Sequence, residues 1–158
     1  MPEPLSPDTT RLMRHLVATI AFRASRALRD APDGFDDVRL ADDGWCAREL
    51  LLHMSNVLAF AYATITQTDR VKHELRDWHG EVDRFYGILG DIDARLATGA
   101  SLEPGMDLKL VQGPFADTLT HVGQLLSMRR RCGSPIPATN YIKADIRTGV
   151  TALKEQPV

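Results

Sequence analysis

Cysteine is scarce in this chain, which has only Cys46 and Cys132 among its 158 residues. Two isolated cysteines exclude a disulfide framework and a CxxC metal or redox motif. Long apolar runs are also absent, because no stretch approaches the roughly 18 apolar residues that a membrane-spanning helix needs. The N-terminus MPEPLSPDTT lacks the basic region and apolar stretch of a secretory signal. These absences predict a cytoplasmic protein that does not cross a membrane.

An excess of basic charge is missing as well. The 19 Lys and Arg residues are balanced by 21 Asp and Glu residues, for a net charge of -2. No positive field is therefore available to attract a nucleic acid. The chain also lacks a P-loop, a GxGxxG motif and a Ser-His-Asp arrangement. Its hydrophobic content of 44% and its length suffice for a core without disulfides, so we expect one domain over residues 1–158.

Apolar residues recur at helical spacing in four segments. Ser6-Pro7-Asp8 is a helix start, with a Ser N-cap, an early proline and an acid near the positive end of the helix dipole. Asp42 or Asp43 can cap the second helix. Pro114 either begins the fourth helix or kinks it. The helices should cover residues 7–30, 45–66, 78–96 and 114–133.

Four helices of this length predict an all-α fold, an antiparallel four-helix bundle. The polar residues 67–77 should form a linker or an extra turn between the second and third helices. Residues 134–158 show no helical period, so we expect an irregular C-terminal tail with an extended or short helical piece draped over the bundle.

Two of the helices carry polar side chains beside apolar ones. On the fourth helix, Asp117, His121, Gln124 and Met128 follow one another at spacings of four, three and four and share one face. An ionised Asp close to a core needs a cation or several donors to offset its desolvation. On the second helix, His53 shares one face with residues that are expected to point toward the core, so His53 is expected to point there too. The other members of this face are Cys46, Leu50, Val57, Phe60 and Thr64.

Asp117 and His121 form an i,i+4 pair, so both side chains can reach the same point. His53 from a neighbouring helix would complete a set of two imidazoles and one carboxylate. Such a set suits Zn²⁺, Ni²⁺, Fe²⁺ or Mn²⁺ and leaves coordination positions open. In the alternative interpretation, both histidines are core residues bonded to backbone carbonyls, and Asp117 is a first-turn acid favoured by the helix dipole. The spacing alone leaves both interpretations open.

Three segments resemble the DinB-like superfamily of small metal-binding four-helix bundles. They are WCARELLLHM in the second helix, FADTLTHVGQLLSMRRRCGSP in the fourth and NYIKADI in the tail. The resemblance implies a metal ligand at His53, whose W-x-x-x-E-x-L-x-H setting is matched by Trp45, Glu49 and Leu51.

The same resemblance implies a ligand at His121, within HVGQ. The third ligand of the family is usually a histidine four residues earlier, where this chain has Asp117. Asp can bind the same ions, so the departure still allows a site and leaves its metal identity and affinity open, with a weakened or empty site as the alternative.

What the resemblance implies about activity is metal-dependent chemistry with a low-molecular-weight thiol, such as bacillithiol or mycothiol. The protein would then be a thiol transferase or a hydrolase that acts on a small molecule. A non-enzymatic metal-binding or stress-associated bundle, which could form a homodimer, is the alternative. A purely structural interaction protein is a third, with the polar stripe as a specificity device in the core.

Other polar residues carry weaker signals. Glu49 could be a fourth ligand or an exposed helix acid, and Gln124 could bond a metal-bound water or serve as a buried amide. Cys46 lies about 10 Å along the helix axis from His53, too far to share its metal. His15 is expected to be structural or exposed, and His73 and His79 are expected to be solvated. Tyr141 and Lys143 could line a pocket mouth, although no spacing supports this. The Arg129 to Arg131 run is expected to mark a helix C-terminus, where basic residues favour the helix dipole.

Overall fold

The computed structural model describes residues 1–158 and confirms an all-α fold. Three long helices are α1 (Pro7–Leu28), α2 (Ala47–Thr66) and α3 (Trp78–Ala97). The last helical region consists of α4 (Met106–Leu110), one π-helical turn (Val111–Phe115) and α5 (Ala116–Arg131). Short 3-10 turns lie at Phe35–Asp37 and Leu153–Glu155. None of the helices combines the length and apolar character that a membrane span requires.

Four helices, α1, α2, α3 and α5, pack in a closed ring. α2 contacts α3 and α5, and α1 also contacts α3 and α5, so each helix has two neighbours. A two-residue antiparallel ribbon joins β1 (Glu3–Pro4) to β2 (Ser101–Leu102). This ribbon is too short to have been predicted by alternation of polar and apolar residues.

The helix starts follow the capping rules, with one correction. The Ser6 hydroxyl accepts a hydrogen bond from the Thr9 backbone N–H at 3.1 Å, as predicted for α1. The prediction that Asp42 or Asp43 caps α2 is wrong. The helix starts later, and the Glu49 carboxylate accepts the backbone N–H of Cys46 at 2.8 Å. A glutamate at the third helical position supplies this reciprocal cap, so no aspartate is needed.

The last helical region does not begin at Pro114, which is the first of the two predicted alternatives, but a local irregularity does lie at this proline. The helical backbone starts at Met106 and runs through Val111–Phe115 as a π turn before α5 begins. Pro114 has no N–H and clashes with the turn before it, and the wider π turn relieves this conflict. The proline therefore leaves a local widening immediately before Asp117.

The core of the bundle is a single cluster of 28 buried residues. The face predicted for α2 is wrong beyond Leu50, because Phe60 is 43% exposed and Val57 and Thr64 are only partly buried. A second series on α2 is spaced equally well, and it is this series that faces α3 and the core. Its members, all with 0% exposure, are Leu51, Met54, Leu58, Ala61 and Ile65.

The C-terminal tail lies along α1, as predicted. Arg29 donates hydrogen bonds to the backbone carbonyls of Leu153 at 2.8 Å and Pro157 at 2.9 Å. His15 Nδ1 lies 3.0 Å from the Thr148 hydroxyl, so this histidine is structural. The tail is thus held by side chains of α1 and of Arg29, the residue that follows it.

Candidate metal centre

Three side chains from two helices converge at one point. His53 lies in the second turn of α2, while Asp117 and His121 lie in the first and second turns of α5. The His53 Nε2 atom is 3.5 Å from Asp117 Oδ2, and the His121 Nε2 atom is 3.4 Å from the same oxygen. All three ligand atoms lie within 4.8 Å of one another. The structure thus brings together all three residues that the sequence singled out.

The spacing of these atoms fits a cation better than a pair of hydrogen bonds. An N–H···O hydrogen bond has a donor–acceptor distance of about 2.7–3.2 Å, shorter than both contacts to Asp117. Ligand atoms around a tetrahedral ion with bonds of about 2.0–2.1 Å lie about 3.3 Å apart. The contacts of 3.4 and 3.5 Å are close to that edge. The triad therefore has the composition of a divalent-metal site, and its two contacts to Asp117 have the spacing of one, whereas the 4.8 Å limit for the whole set requires the histidines to move closer around an ion.

Gln124 determines which nitrogen of His121 faces the triad. Its Oε1 atom accepts a hydrogen bond from His121 Nδ1 at 2.7 Å. With the proton on Nδ1, the Nε2 lone pair points toward Asp117, which is the tautomer a metal ligand requires. Gln124 is exposed and bonds the histidine itself, so the prediction of a buried amide is wrong, while the predicted contact to a metal-bound water stays a prediction. The three-residue spacing from His121 was the available signal.

Trp45 forms an aromatic wall beside the triad. Its ring centroid is 4.5 Å from that of His53, with the two planes 31° apart, and 6.4 Å from that of His121. The two imidazoles are perpendicular, with centroids 4.8 Å apart. Trp45 precedes α2, so its position against His53 depends on a loop conformation that helical spacing does not predict.

The site lies at the rim of the bundle, which corrects the expectation that these groups are close to the core. The exposed fraction of the side chain is 13% for His121, 32% for His53 and 45% for Asp117. Water can solvate a carboxylate exposed to this degree, so the desolvation argument for a cation does not apply. The same exposure leaves one side of the triad open to solvent.

The remaining candidates do not join the site. Glu49 caps α2 and pairs with Arg39 at 3.0 Å, and the hydrogen bond from the Cys46 backbone lowers the pKa of Glu49. Burial raises the pKa of the Cys46 thiol, which is 2% exposed and apart from the triad. His79 is exposed as expected, but His73 is partly buried, and burial lowers its pKa.

Tyr141, Lys143 and Arg129 are likewise not members of the triad. The Arg23 guanidinium lies 3.7 Å from the centroid of the Tyr141 ring, which holds the tail to α1. Lys143 is exposed on the tail. Arg129 is only 4% exposed and donates to the Ala27 carbonyl at 2.8 Å, so it does more than favour a helix end.

A groove opens beside the triad, between α2 and the π turn. Its volume is about 490 Å³. Asp117 is one of its lining residues, and the π turn contributes residues 112–114. Any small molecule in this groove would lie next to the Asp117 carboxylate.

Comparison with protein-family models, with curated proteins and with solved structures finds no match. The resemblance of the three sequence segments to the DinB-like superfamily accordingly stays a prediction. The metal interpretation depends on the geometry of His53, Asp117 and His121.

Proposed function

We propose that the protein is a divalent-metal-binding bundle of the DinB-like type, with His53, Asp117 and His121 as ligands to Zn²⁺, Ni²⁺, Fe²⁺ or Mn²⁺. One observation carries the proposal: three ligand atoms from two helices lie within 4.8 Å of one another. The Gln124 contact supports it, because metal-bound histidines usually donate their other ring N–H to a nearby acceptor.

We further propose that the ion serves small-molecule chemistry, as in a transferase or a hydrolase. Three protein ligands leave coordination positions open, which distinguishes catalytic sites from closed structural ones. A divalent ion in such a site supplies Lewis acidity and makes a bound water or thiol more acidic. The open side of the triad and the adjoining groove favour access by a substrate. A low-molecular-weight thiol is the substrate class that the family resemblance suggests.

A non-enzymatic metal-binding or stress-associated bundle is the second candidate function. Among the residues that line the groove, only Asp117 and Arg70 are titratable, and Asp117 belongs to the proposed ligand set. No separate general base is therefore present in the groove. A metal-binding protein without catalysis would have the same triad, and activity measurements on the metal-loaded protein separate the two functions.

The decisive experiment is elemental analysis of protein purified without a polyhistidine tag and equilibrated with each of the four ions. We expect one equivalent of a divalent metal in the wild type and a loss of at least most of it in His53→Ala, Asp117→Ala and His121→Ala. His79→Ala is the matched control, because His79 is exposed and outside the triad. A wild type without metal, or triad variants that retain full occupancy, would overturn the proposal.

A further inference from the structure

The groove beside the triad is lined partly by apolar side chains and partly by polar and charged ones. It is lined by Val57, Phe60, Arg70, residues 112–114, Asp117 and Thr120. Val57 and Phe60 belong to the face of α2 that was predicted to be buried but lies outside the core, and Phe60 is 43% exposed. An apolar face at the surface next to a candidate metal centre provides contact area for the body of a small organic molecule.

Arg70 supplies the only positive charge of the groove. None of the ion pairs in the structure includes Arg70, so no carboxylate of the protein neutralises it within 4.0 Å. Its single hydrogen bond is a long one, from Nη2 to the Asn56 carbonyl at 3.4 Å. The guanidinium lies 5.9 Å from the centroid of the Phe60 ring. Arg70 can therefore donate to a ligand that contacts Phe60.

The segment that carries Arg70 is fixed although it has no regular secondary structure. The Asn56 side chain accepts the backbone N–H of His73 at 2.8 Å, which joins this segment to α2. Glu81, with 0% exposure, accepts the backbone N–H of Arg76 at 2.7 Å. Both of these contacts lie C-terminal to Arg70, and on its N-terminal side the Thr68 backbone N–H donates to the Ala63 carbonyl at 3.0 Å. The backbone around Arg70 is thus held beside α2, although its side chain is exposed, which reduces the backbone entropy lost when a ligand binds.

We propose that this groove is the substrate pocket of the metal centre and that it takes a small organic carboxylate, with Arg70 binding the carboxylate and Phe60 contacting the apolar body. The proposal rests on the proposed function for its link to the metal. An arginine fork matches a carboxylate with two parallel hydrogen bonds, and one arginine suffices for a single negative charge. Asp117 would repel the same anion unless a cation neutralises it, so metal and carboxylate should bind cooperatively.

The test uses benzoate and its neutral analogue benzamide as probes, titrated into ¹⁵N-labelled, Zn²⁺-equilibrated protein and followed by amide chemical shifts. In the wild type, benzoate should perturb the amides of Gly113 and its groove neighbours and should bind more tightly than benzamide. Arg70→Gln should lower the affinity for benzoate by about tenfold or more and leave the affinity for benzamide unchanged. Phe60→Ala should lower the affinity for both probes. Arg11→Gln, which removes an exposed charge on α1, is the matched control and should weaken neither.

Titrations of metal-free Asp117→Asn test the carboxylate pocket independently of metal binding. In this variant, the negative charge that would repel benzoate is removed by the substitution, so no ion is needed to neutralise it. Benzoate binding that depends on Arg70 in this background supports the pocket even where no variant binds metal. Equal benzoate affinity in the wild type and Arg70→Gln, or shifts that do not include the groove, would overturn the proposal, since the carboxylate would then bind elsewhere or to the ion alone.

Discussion

Gln124 Oε1 accepts the Nδ1 proton of His121 at 2.7 Å, and this contact turns the Nε2 lone pair toward Asp117. Both residues lie on α5, three positions apart, so the contact is local to one helix. The orientation of His121 is thereby set before any ion binds. A site prepared in this way loses less free energy when the ligands are ordered around a metal.

Gln124→Leu should weaken metal binding about 10- to 100-fold, because the acceptor that fixes the His121 tautomer is removed. The thermal stability of the metal-free protein should change little, since Gln124 is exposed. Competition against a chelator of known affinity measures the dissociation constant. Gln124→Glu retains an acceptor at the same position and should restore binding. Unchanged affinity in Gln124→Leu would show that the contact does not orient a ligand.

Trp45 should report metal binding through its fluorescence. Its ring lies 4.5 Å from that of His53, and a paramagnetic ion such as Ni²⁺ at the triad would quench it. In a Trp78→Phe background, where Trp45 is the only tryptophan, we expect saturable quenching at one equivalent of Ni²⁺. The same titration of Asp117→Ala should show no saturable phase. Quenching that is equal in both proteins would place the ion away from the triad.

His73 should make the metal-free protein less stable in mild acid. Burial and the charges of Arg84 and Arg76 lower its pKa in the folded state, against a smaller opposing effect of Glu81. As the pH falls below about 6.5, the unfolded chain takes up this proton first, so folding stability contributed by neutral His73 is lost.

Urea unfolding of the wild type and of His73→Gln at several pH values between 7 and 5 tests whether stability falls with pH because of His73. The free energy of unfolding should decrease less steeply in the variant as the pH falls. His79→Gln is the control, because His79 is exposed, and it should follow the wild type. A decrease of equal slope in His73→Gln and the wild type would refute the prediction.

The Asp117 and His121 pair was predictable from sequence because it is local: the i,i+4 spacing places both residues together on any helix. His53 was singled out by its helical position among apolar residues of the second helix, and the family resemblance supported the same choice. The core face of α2 was not predictable in the same way. Leu50, His53 and Val57 have the same helical spacing as Leu51, Met54 and Leu58, and only packing against α3 and α5 decides between them. Trp45 and Arg70 lie outside the helices, where periodicity carries no information.

Arg129 is a buried side chain whose burial could not be predicted from the local sequence. It lies in a run of three arginines at the end of α5, yet its exposure is only 4%. Its Nη1 atom donates to the Ala27 carbonyl at 2.8 Å and its Nε atom to the Ser134 carbonyl at 3.1 Å. Arg129 therefore caps the C-terminus of α1 and fixes the turn that follows α5. Lysine has neither the reach nor the donor geometry to make both contacts.

Arg129→Lys should destabilise the protein by about 2–3 kcal/mol, because buried carbonyls lose charge-assisted hydrogen bonds and stay desolvated. At roughly 2–4 °C per kcal/mol for a chain of this size, the midpoint of thermal unfolding should fall by about 4–12 °C. Arg130→Lys is the matched control, since Arg130 is the exposed neighbour in the same run, and its midpoint should stay within about 1 °C of the wild type. Metal affinity should be unaffected in both variants, because Arg129 is buried against α1 and does not belong to the triad. An Arg129→Lys midpoint equal to that of the wild type would mean that water or another donor satisfies the Ala27 and Ser134 carbonyls.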